Sequence, residues 1–292
     1  MLFDLSARTK LRLTGGDRVR YLNGQVTNDV RKANPNLSMM ACVLTAKGKT
    51  DGLVFITADE DDLLLDADPD LRESLPARLE RYIIADDVTL EDVTDDFALF
   101  HVLDETAPSS PNDAHWRRGK RFGSAGWDLL VPAAEHDRVL QTLAATDTLV
   151  SDAEAERFRI EQGVPRGGRE LTGEIIPVEA NLEADAIDYA KGCYIGQEVI
   201  SRMKMSGKTN KGLRGLLSLE NTALAPGMKL FDSVSGKEVG RITSATRSER
   251  LGQEIALAFV KSGFNKPGTK LMAQGWVEVV ELPFPTAAPA TP

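Results

Sequence analysis

Cysteine, histidine and aromatic side chains are all scarce in this 292-residue chain, which carries two Cys, three His and only 6% Phe, Trp and Tyr. Cys42 and Cys193 lie far apart in sequence and belong to no recurrent spacing, so no disulfide framework holds the fold. Neither cysteine is part of a C-x-x-C pair, and His101, His115 and His136 are spread without ligand spacing. An intrinsic zinc or cluster site is therefore not expected, and any metal would need a ligand from elsewhere. No stretch approaches the roughly 20 apolar residues of a membrane span. The opening run MLFDLSARTKLRLTGGD lacks a basic segment followed by an apolar stretch and a small-residue cleavage site. The expectation is a cytoplasmic protein with no membrane partner.

Charge is abundant but unevenly placed. The formal balance of -9 divides into 22 basic and 37 acidic groups over residues 1–200, against 13 and 7 over residues 201–292. Within the second part Arg202, Lys204, Lys208, Lys211 and Arg214 follow one another without an intervening acid. Such a run attracts phosphate or carboxylate ligands, or is simply a solvated linker face.

Hydrophobic periodicity gives a mixed α and β reading of the first two hundred residues. KLRLT, MMACVLTA, GLVFITA, LLLDA, FALFHVL and DLLVP read as strands. The run through Val19, Leu22 and Val26 reads as an amphipathic helix, as does the series Leu71, Leu75, Leu79, Tyr82 and Ile83, where Pro76 either kinks the helix or sits in its first turn. A further helix is expected near 135–145. Asp59 to Asp62 read as a solvated hairpin loop, and the Pro/Ser-rich ETAPSSPND as a flexible loop. Ser151 and Glu154 have capping-box spacing, with Gly163 placed to close the helix DAEAERFRIEQ in a left-handed conformation. After about residue 207 short strands alternate with glycine turns, the pattern of a small antiparallel barrel. The last segment, FPTAAPATP, has too little apolar area to pack and is expected to be disordered.

One octet concentrates chemistry. In KGCYIGQE, from Lys191 to Glu198, two glycines flank a thiol and a lysine precedes it. A constrained loop presenting Cys193 is one reading, in which the nearby Lys191 ammonium favours the thiolate. A cysteine packed as a small hydrophobe is the other. Cys42, inside MMACVL, reads as core.

Every position of that octet matches K-G-C-(Y or F)-x-G-Q-E, the run typical of YgfZ-type folate-binding proteins, and the blocks YLNGQVTNDV, LTAKGKTDGLVF, YIIADDV, RIEQGVPRGG and IPVEANLEADAIDYAKGCYIGQEVISRM occur in the order of that family. Over about residues 1–280 the chain resembles this branch of the glycine-cleavage T-protein (aminomethyltransferase-like) superfamily. The resemblance implies an α+β, T-protein-like folate-binding fold of three subdomains in a ring, ending in a small antiparallel β-barrel. The corresponding boundaries are a folate-binding region of two mixed α/β subdomains over 1–206, a barrel over 207–283 and a tail over 284–292.

By the same resemblance the cofactor is tetrahydrofolate or a one-carbon derivative. A carboxylate suits the amide N–H and exocyclic amine of a pterin, and cations suit its glutamate tail. Asp128 corresponds to the pterin-binding carboxylate, Arg159 to a folate-contacting arginine, and Asp51 to the acid beside the reactive folate nitrogen. Taken by themselves, Asp128 reads as a surface acid and Arg159 as a helix-face charge. Asn23 and Asn28 lie where the end of a polar helix would line the channel, unless Asn-Asp simply ends that helix. Lys204, with Lys208 and Lys211, would grip a polyglutamate tail. The T-protein motif G-G-x-x-D-D is replaced by Lys47-Gly48-Lys49-Thr50-Asp51-Gly52, which weakens the case for aminomethyl transfer. The resemblance thus implies a folate-binding accessory factor for iron–sulfur protein assembly or repair, including cluster enzymes that modify tRNA, acting through Cys193 and Lys191. The partners would be iron–sulfur client or assembly proteins. The alternatives are a folate-dependent aminomethyl- or methyltransferase and a non-enzymatic module that binds RNA or an acidic partner.

Overall fold

Period-two hydrophobicity builds most of this protein, and the computed structural model, which describes residues 1–108 and 115–285, shows where that pattern leads. The expected loop and tail fall largely on residues 109–114 and 286–292, outside the described residues. Along the chain run β1 (Leu2–Asp4), β2 (Thr9–Thr14), α1 (Arg18–Gln25), β3 (Leu37–Leu44), β4 (Thr50–Ala58), β5 (Leu63–Ala67), α2 (Ser74–Glu80), β6 (Thr89–Asp92), β7 (Phe97–Val102), β8 (Trp116–Gly119) and β9 (Gly126–Pro132). There follow α3 (His136–Ala144), α4 (Asp152–Glu161), α5 (Glu183–Ala186) and α6 (Gln197–Ser206). The last six strands are β10 (Lys211–Ser218), β11 (Lys229–Phe231), β12 (Glu238–Ser248), β13 (Gln253–Lys261), β14 (Lys270–Met272) and β15 (Trp276–Val280). No described helix is long and apolar enough to cross a membrane.

The chain forms two compact units. The first comprises residues 1–151, 171–177 and 182–202; the second comprises 152–170, 178–181 and the described chain from Met203 on.

In the first unit nine strands form one sheet in the order β1-β7-β9-β8-β3-β4-β5-β2-β6. Two half-sheets meet at its centre through a parallel β3/β8 seam of only two register pairs, Leu37 with Arg118 and Ser38 with Gly119. Each half has its own core. Leu11, Leu13, Val54, Ile56 and Leu65 pack with Tyr21 and Leu22 of α1 and Leu75 and Leu79 of α2. Ala98, Phe100, Leu129 and Val131 pack with Val139 and Leu143 of α3. Pro76 falls in the first turn of α2, where its missing N–H has no intrahelical partner to lose. The acidic run Asp59–Asp62 is the β4–β5 hairpin loop, closed by Asp59 N–H to the Asp62 carbonyl at 3.1 Å.

In the second unit the six C-terminal strands close into a barrel in the order β10-β13-β12-β11-β14-β15, with β10 pairing back to β15. Its interior is filled by Leu216, Leu230, Ile242, Val260, Leu271 and Val277, with the small Ala256 and Ala258 giving the larger side chains room. Helix α4 ends as its sequence predicts. Gly163 is left-handed at φ 71°, its N–H bonding to Ile160 O at 2.9 Å and that of Val164 to Arg159 O at 3.0 Å. This pair of bonds caps the last free carbonyls of the helix.

Candidate functional site

Helix α1 ends at Gln25, which leaves a cluster of carbonyls in need of donors. The octet loop supplies them. Lys191 is buried, and its ammonium donates to the carbonyls of Asn23 at 2.6 Å, Val26 at 2.6 Å and Asn28 at 2.8 Å. The Ile195 N–H donates to Gly24 O at 3.1 Å. Between these two attachments the apex is open, with Gly192 and Cys193 exposed. The other thiol, Cys42, is buried, and burial pushes its pKa up to about 12.

Lys191 thus has a structural part beside the expected one. Its three donors are all occupied by carbonyls, which closes the hydrogen-bonding route by which it would stabilise a Cys193 thiolate. Burial lowers its pKa to about 8, against the raising influence of Asp29 and Asp188. Its Nζ also lies 4.9 Å from the centre of the Tyr194 ring, the next apolar anchor of the loop.

Two more of the sequence blocks close on the same place. Gly196 sits at φ 85° against the β3–β4 turn, where a Cβ would stand 2.7 Å from Thr45 O, so only glycine lets the loop seat. Thr27 lies below. Its hydroxyl accepts from Cys42 N–H at 2.8 Å and donates to Ala186 O at 2.6 Å, and its carbonyl accepts from Asp188 N–H at 3.1 Å. Blocks from residues 21–30, 44–55 and 186–199 therefore converge within the first unit. Asn23 Oδ1 accepts from Val30 N–H at 3.0 Å, and Asn28 Nδ2 donates to Met40 O at 2.8 Å. Both asparagines are partly structural, but Asn28 also faces a cavity.

That cavity, about 340 Å³, is lined by Asn28, Lys32, Leu37, Ser38, Met39, Met40, Arg118, Gly119, Lys120, Ala125 and Asp185. It opens over the β3/β8 seam. Three cations face one carboxylate, a local excess of positive charge in an otherwise acidic region. Lys120 bonds both oxygens of Asp185, at 2.9 and 2.8 Å, Lys32 pairs with Asp188 at 2.5 Å, and Arg118 lies over the Trp127 ring. Lys32, Arg118, Lys120 and Asp185 did not stand out in the sequence. Asp185 lies inside a recognisable block, whereas the basic residues carry no local signature.

Other expected ligand residues are placed elsewhere. Asp128, read as a pterin acceptor, is 1% exposed on β9. Its Oδ1 accepts from Arg121 Nε at 2.7 Å and lies 2.6 Å from His101 Nδ1, while Arg121 makes two 2.7 Å bonds to Asp66, which Arg8 also contacts at 2.5 Å. Burial would raise the Asp128 pKa, but Arg121 and His101 hold it well below the usual carboxylate range. Asp128 is thus one corner of a buried charge network joining the half-sheets, with its Oδ2 left without a hydrogen-bond partner.

Arg159 belongs to the second unit and is 5% exposed. Its guanidinium bonds both oxygens of Glu156 at 2.9 and 2.6 Å, Val164 O at 2.8 Å, Glu170 at 3.0 Å and Ser244 Oγ at 2.8 Å. All five N–H donors are used in tying α4 to β12, which leaves none for folate. Asp51 is partly exposed on β4, with its carboxylate 3.3 Å from Arg78 Nε. Arg78 also donates to Leu44 O at 2.9 Å and Gln25 at 3.2 Å, so Asp51 is fastened to the base of the β3–β4 hairpin. Lys204 is exposed near the end of α6. The run of cations around it is not uniformly free: Arg202 pairs with Glu198, Arg214 donates to Asn265 O at 3.0 Å, and Lys211 lies 5.1 Å from the Phe259 ring centre.

Residues 211–284 match the glycine cleavage T-protein C-terminal barrel domain. The whole chain superposes on the glycine cleavage system aminomethyltransferase T of Bartonella henselae with a TM-score of 0.84, at 18% identity, over 98% of this chain and 86% of the other. The matched barrel domain and the likeness of fold agree with the resemblance of the sequence to YgfZ-type proteins of the aminomethyltransferase-like superfamily. That superposition shows a T-protein-like α+β fold, with the closed barrel at its C-terminal end. A tRNA-modifying protein YgfZ of Aliivibrio fischeri is 26% identical over 93% of this chain and 88% of its own length. An aminomethyltransferase of Saccharopolyspora erythraea is 27% identical over 97% of this chain and 86% of its own. An iron-sulfur cluster assembly factor IBA57 homolog of Dictyostelium discoideum is 25% identical over 71% of this chain, which spans 60% of that relative's length. In this chain the octet is where the YgfZ-like sequence pattern and the exposed thiol coincide.

Proposed function

We propose that this protein is a folate-binding accessory factor for the assembly or repair of iron–sulfur proteins, including cluster enzymes that act on tRNA, with Cys193 as its working thiol. One observation carries the reading: three separate sequence blocks are folded together to hold an otherwise unsupported loop whose apex exposes a cysteine. An inert cysteine is ordinarily buried, as Cys42 is here, whereas sulfur or cluster handling requires access. The names of the YgfZ and IBA57 relatives support the same process.

Folate fits the residues around the seam cavity. A volume of about 340 Å³ lies within the roughly 300–1,000 Å³ common for small-molecule sites. Asp185 is the carboxylate of this cavity, and it would accept from a pterin amide and amine in exchange for its bonds from Lys120. Lys32, in exchange for Asp188, and Arg118 are cations that could meet a glutamate tail, and Met39 and Met40 offer apolar contact. When bound, a reduced folate would supply a one-carbon carrier. Aminomethyl transfer is the weaker reading, because Asp51 is held by Arg78 and its neighbours depart from the T-protein pattern.

Calorimetric titration of the protein with tetrahydrofolate tests the first half of the proposal. Asp185→Asn and Lys32→Ala should each weaken binding by about 1.5–3 kcal/mol, roughly tenfold to a hundredfold. Absence of binding to the wild type would remove folate from the proposal. Complementation of a deletion strain tests the second half: Cys193→Ala should fold and bind folate yet fail to restore cluster-enzyme activity, and full restoration would remove the thiol's role.

A further inference from the structure

The geometry points to Lys191 as the positioning residue for Cys193: its ammonium clasps one end of the octet loop to the carbonyls at the end of α1, and so fixes where the thiol is presented. For its functional meaning this inference rests on the reading of Cys193 as the working thiol. Its structural content stands apart from that reading.

The loop is held on both sides of Gly192 and Cys193, by Lys191 before them and by the buried Tyr194 and by Ile195 after them. Two residues before Cys193, Lys191 Nζ reaches Asn23 O, Val26 O and Asn28 O at 2.6, 2.6 and 2.8 Å. Two residues after it, Ile195 N–H reaches Gly24 O at 3.1 Å. Adjacent carbonyls of one helix end, Asn23 and Gly24, therefore set the separation of the two attachments. A Cβ placed on Gly192 would meet no atom within 4 Å beyond its chain neighbours. Without the lysine clasp, the chain on the N-terminal side of Cys193 would swing on a glycine in open space.

The contact also selects lysine by its chemistry. An ammonium directs three N–H groups tetrahedrally, which suits three carbonyls converging on one point. The planar fork of arginine does not reproduce that arrangement. Methionine has the length and apolar stem but no donor, so three carbonyls would lose their partner. The same lysine would contribute little to thiolate chemistry by hydrogen bonding, because none of its donors remains. Its role is geometric and acts through Cys193.

A nitroxide attached to Cys193 reads the clasp directly, since Cys42 is buried and escapes labelling. The full chain should give a motionally restricted spectrum for the wild type. Lys191→Met should shift it to a mobile component, with a circular-dichroism melt showing that the fold persists, and Lys191→Gln, which keeps part of the donor set, should fall between. Ethylamine added to Lys191→Ala should restore the restricted spectrum. If Lys191→Met does not fold, Lys191→Gln and the ethylamine series carry the test. An unchanged line shape in folded variants would overturn the inference. Failure of the functional reading looks different: Cys193→Ala would then complement fully while the loosening of the label in the Lys191 variants remained.

Discussion

Replacing Arg121 by methionine should be the most damaging single change at the centre of the first unit, and the structure sets both its size and its pH dependence. Arg121 lies between Asp66 and Asp128, with side chains 4%, 8% and 2% exposed. Removing the guanidinium strands two buried carboxylates, although Arg8 still contacts Asp66 and His101 still contacts Asp128. Breaking one buried pair costs about 3–5 kcal/mol. Because each acid keeps one partner, the loss should stay within that range and not double it. This is a large share of the roughly 5–15 kcal/mol that stabilises a domain. Urea unfolding followed by tryptophan fluorescence in a Trp276→Phe background would leave Trp116 and Trp127, both in the first unit, as reporters. The midpoint should fall by about 1 M or more.

The pH dependence is the sharper part of the same experiment. In the wild type both carboxylates have folded-state pKa values held below normal, because the ion pairs outweigh burial. Their contribution is therefore complete above the unfolded value of about 3.9 and is lost as pH falls through the lower folded values. In Arg121→Met burial acts with much less opposition, so the folded-state values rise above the unfolded one. Protonation then relieves the variant while the wild type is still unaffected. The stability difference should accordingly shrink between pH 7 and pH 5. A difference under about 1 kcal/mol at pH 7, the scale of an exposed pair, or one unchanged between the two pH values, would refute the network's role.

Further expectations follow from individual contacts. Gly196→Ala puts a methyl group 2.7 Å from Thr45 O at a positive φ, and should lower stability by about 1–3 kcal/mol in a thermal melt while raising protease cleavage near the loop. Thr27→Val removes the hydroxyl shared by Cys42 N–H and Ala186 O, and should cost about 1–3 kcal/mol with faster amide exchange at Cys42. Arg159→Met should destabilise the second unit by about 3–5 kcal/mol through Glu170, yet leave the tetrahydrofolate isotherm unchanged. Weakened folate binding in a folded Arg159 variant would return that residue to the ligand site.

Local pattern made much of this molecule legible before its structure. Alternation located β2, β3, β4, β5, β7 and the barrel strands, and Gly163 marked the end of α4, because each signal is carried by neighbouring residues. The short β1, β6 and β8 were missed, since three or four residues give period two little room to show. The burial of Cys42 was also readable from its apolar run, whereas the glycine-flanked motif left the exposure of Cys193 open. Charged residues were another matter. Lys191 finds its carbonyls 163 to 168 residues away, Arg121 finds Asp66 at a separation of 55, and Arg159 finds Ser244 at 85. Whether a charge is solvated, paired or clasped depends on those distant partners. Family resemblance marked such residues as important, but an ion pair within the fold and a ligand contact leave the same mark in sequence.

The way the first unit's sheet ends bears on how readily another chain could add a strand to it. An open nine-stranded sheet offers two unpaired margins to which another chain could add a strand. At one margin β6 is only Thr-Leu-Glu-Asp, too short and too acidic to template a growing ladder. At the other, the segment around Leu149 lies along β1, with Leu2 N–H bonded to Thr148 O and Val150 N–H to Leu2 O, both at 2.9 Å. The barrel, being closed, has no margin at all. A chain with this much β-structure thus leaves little for amyloid-like stacking to seize, and substitutions that make Glu91 and Asp92 apolar should be the first to produce aggregates.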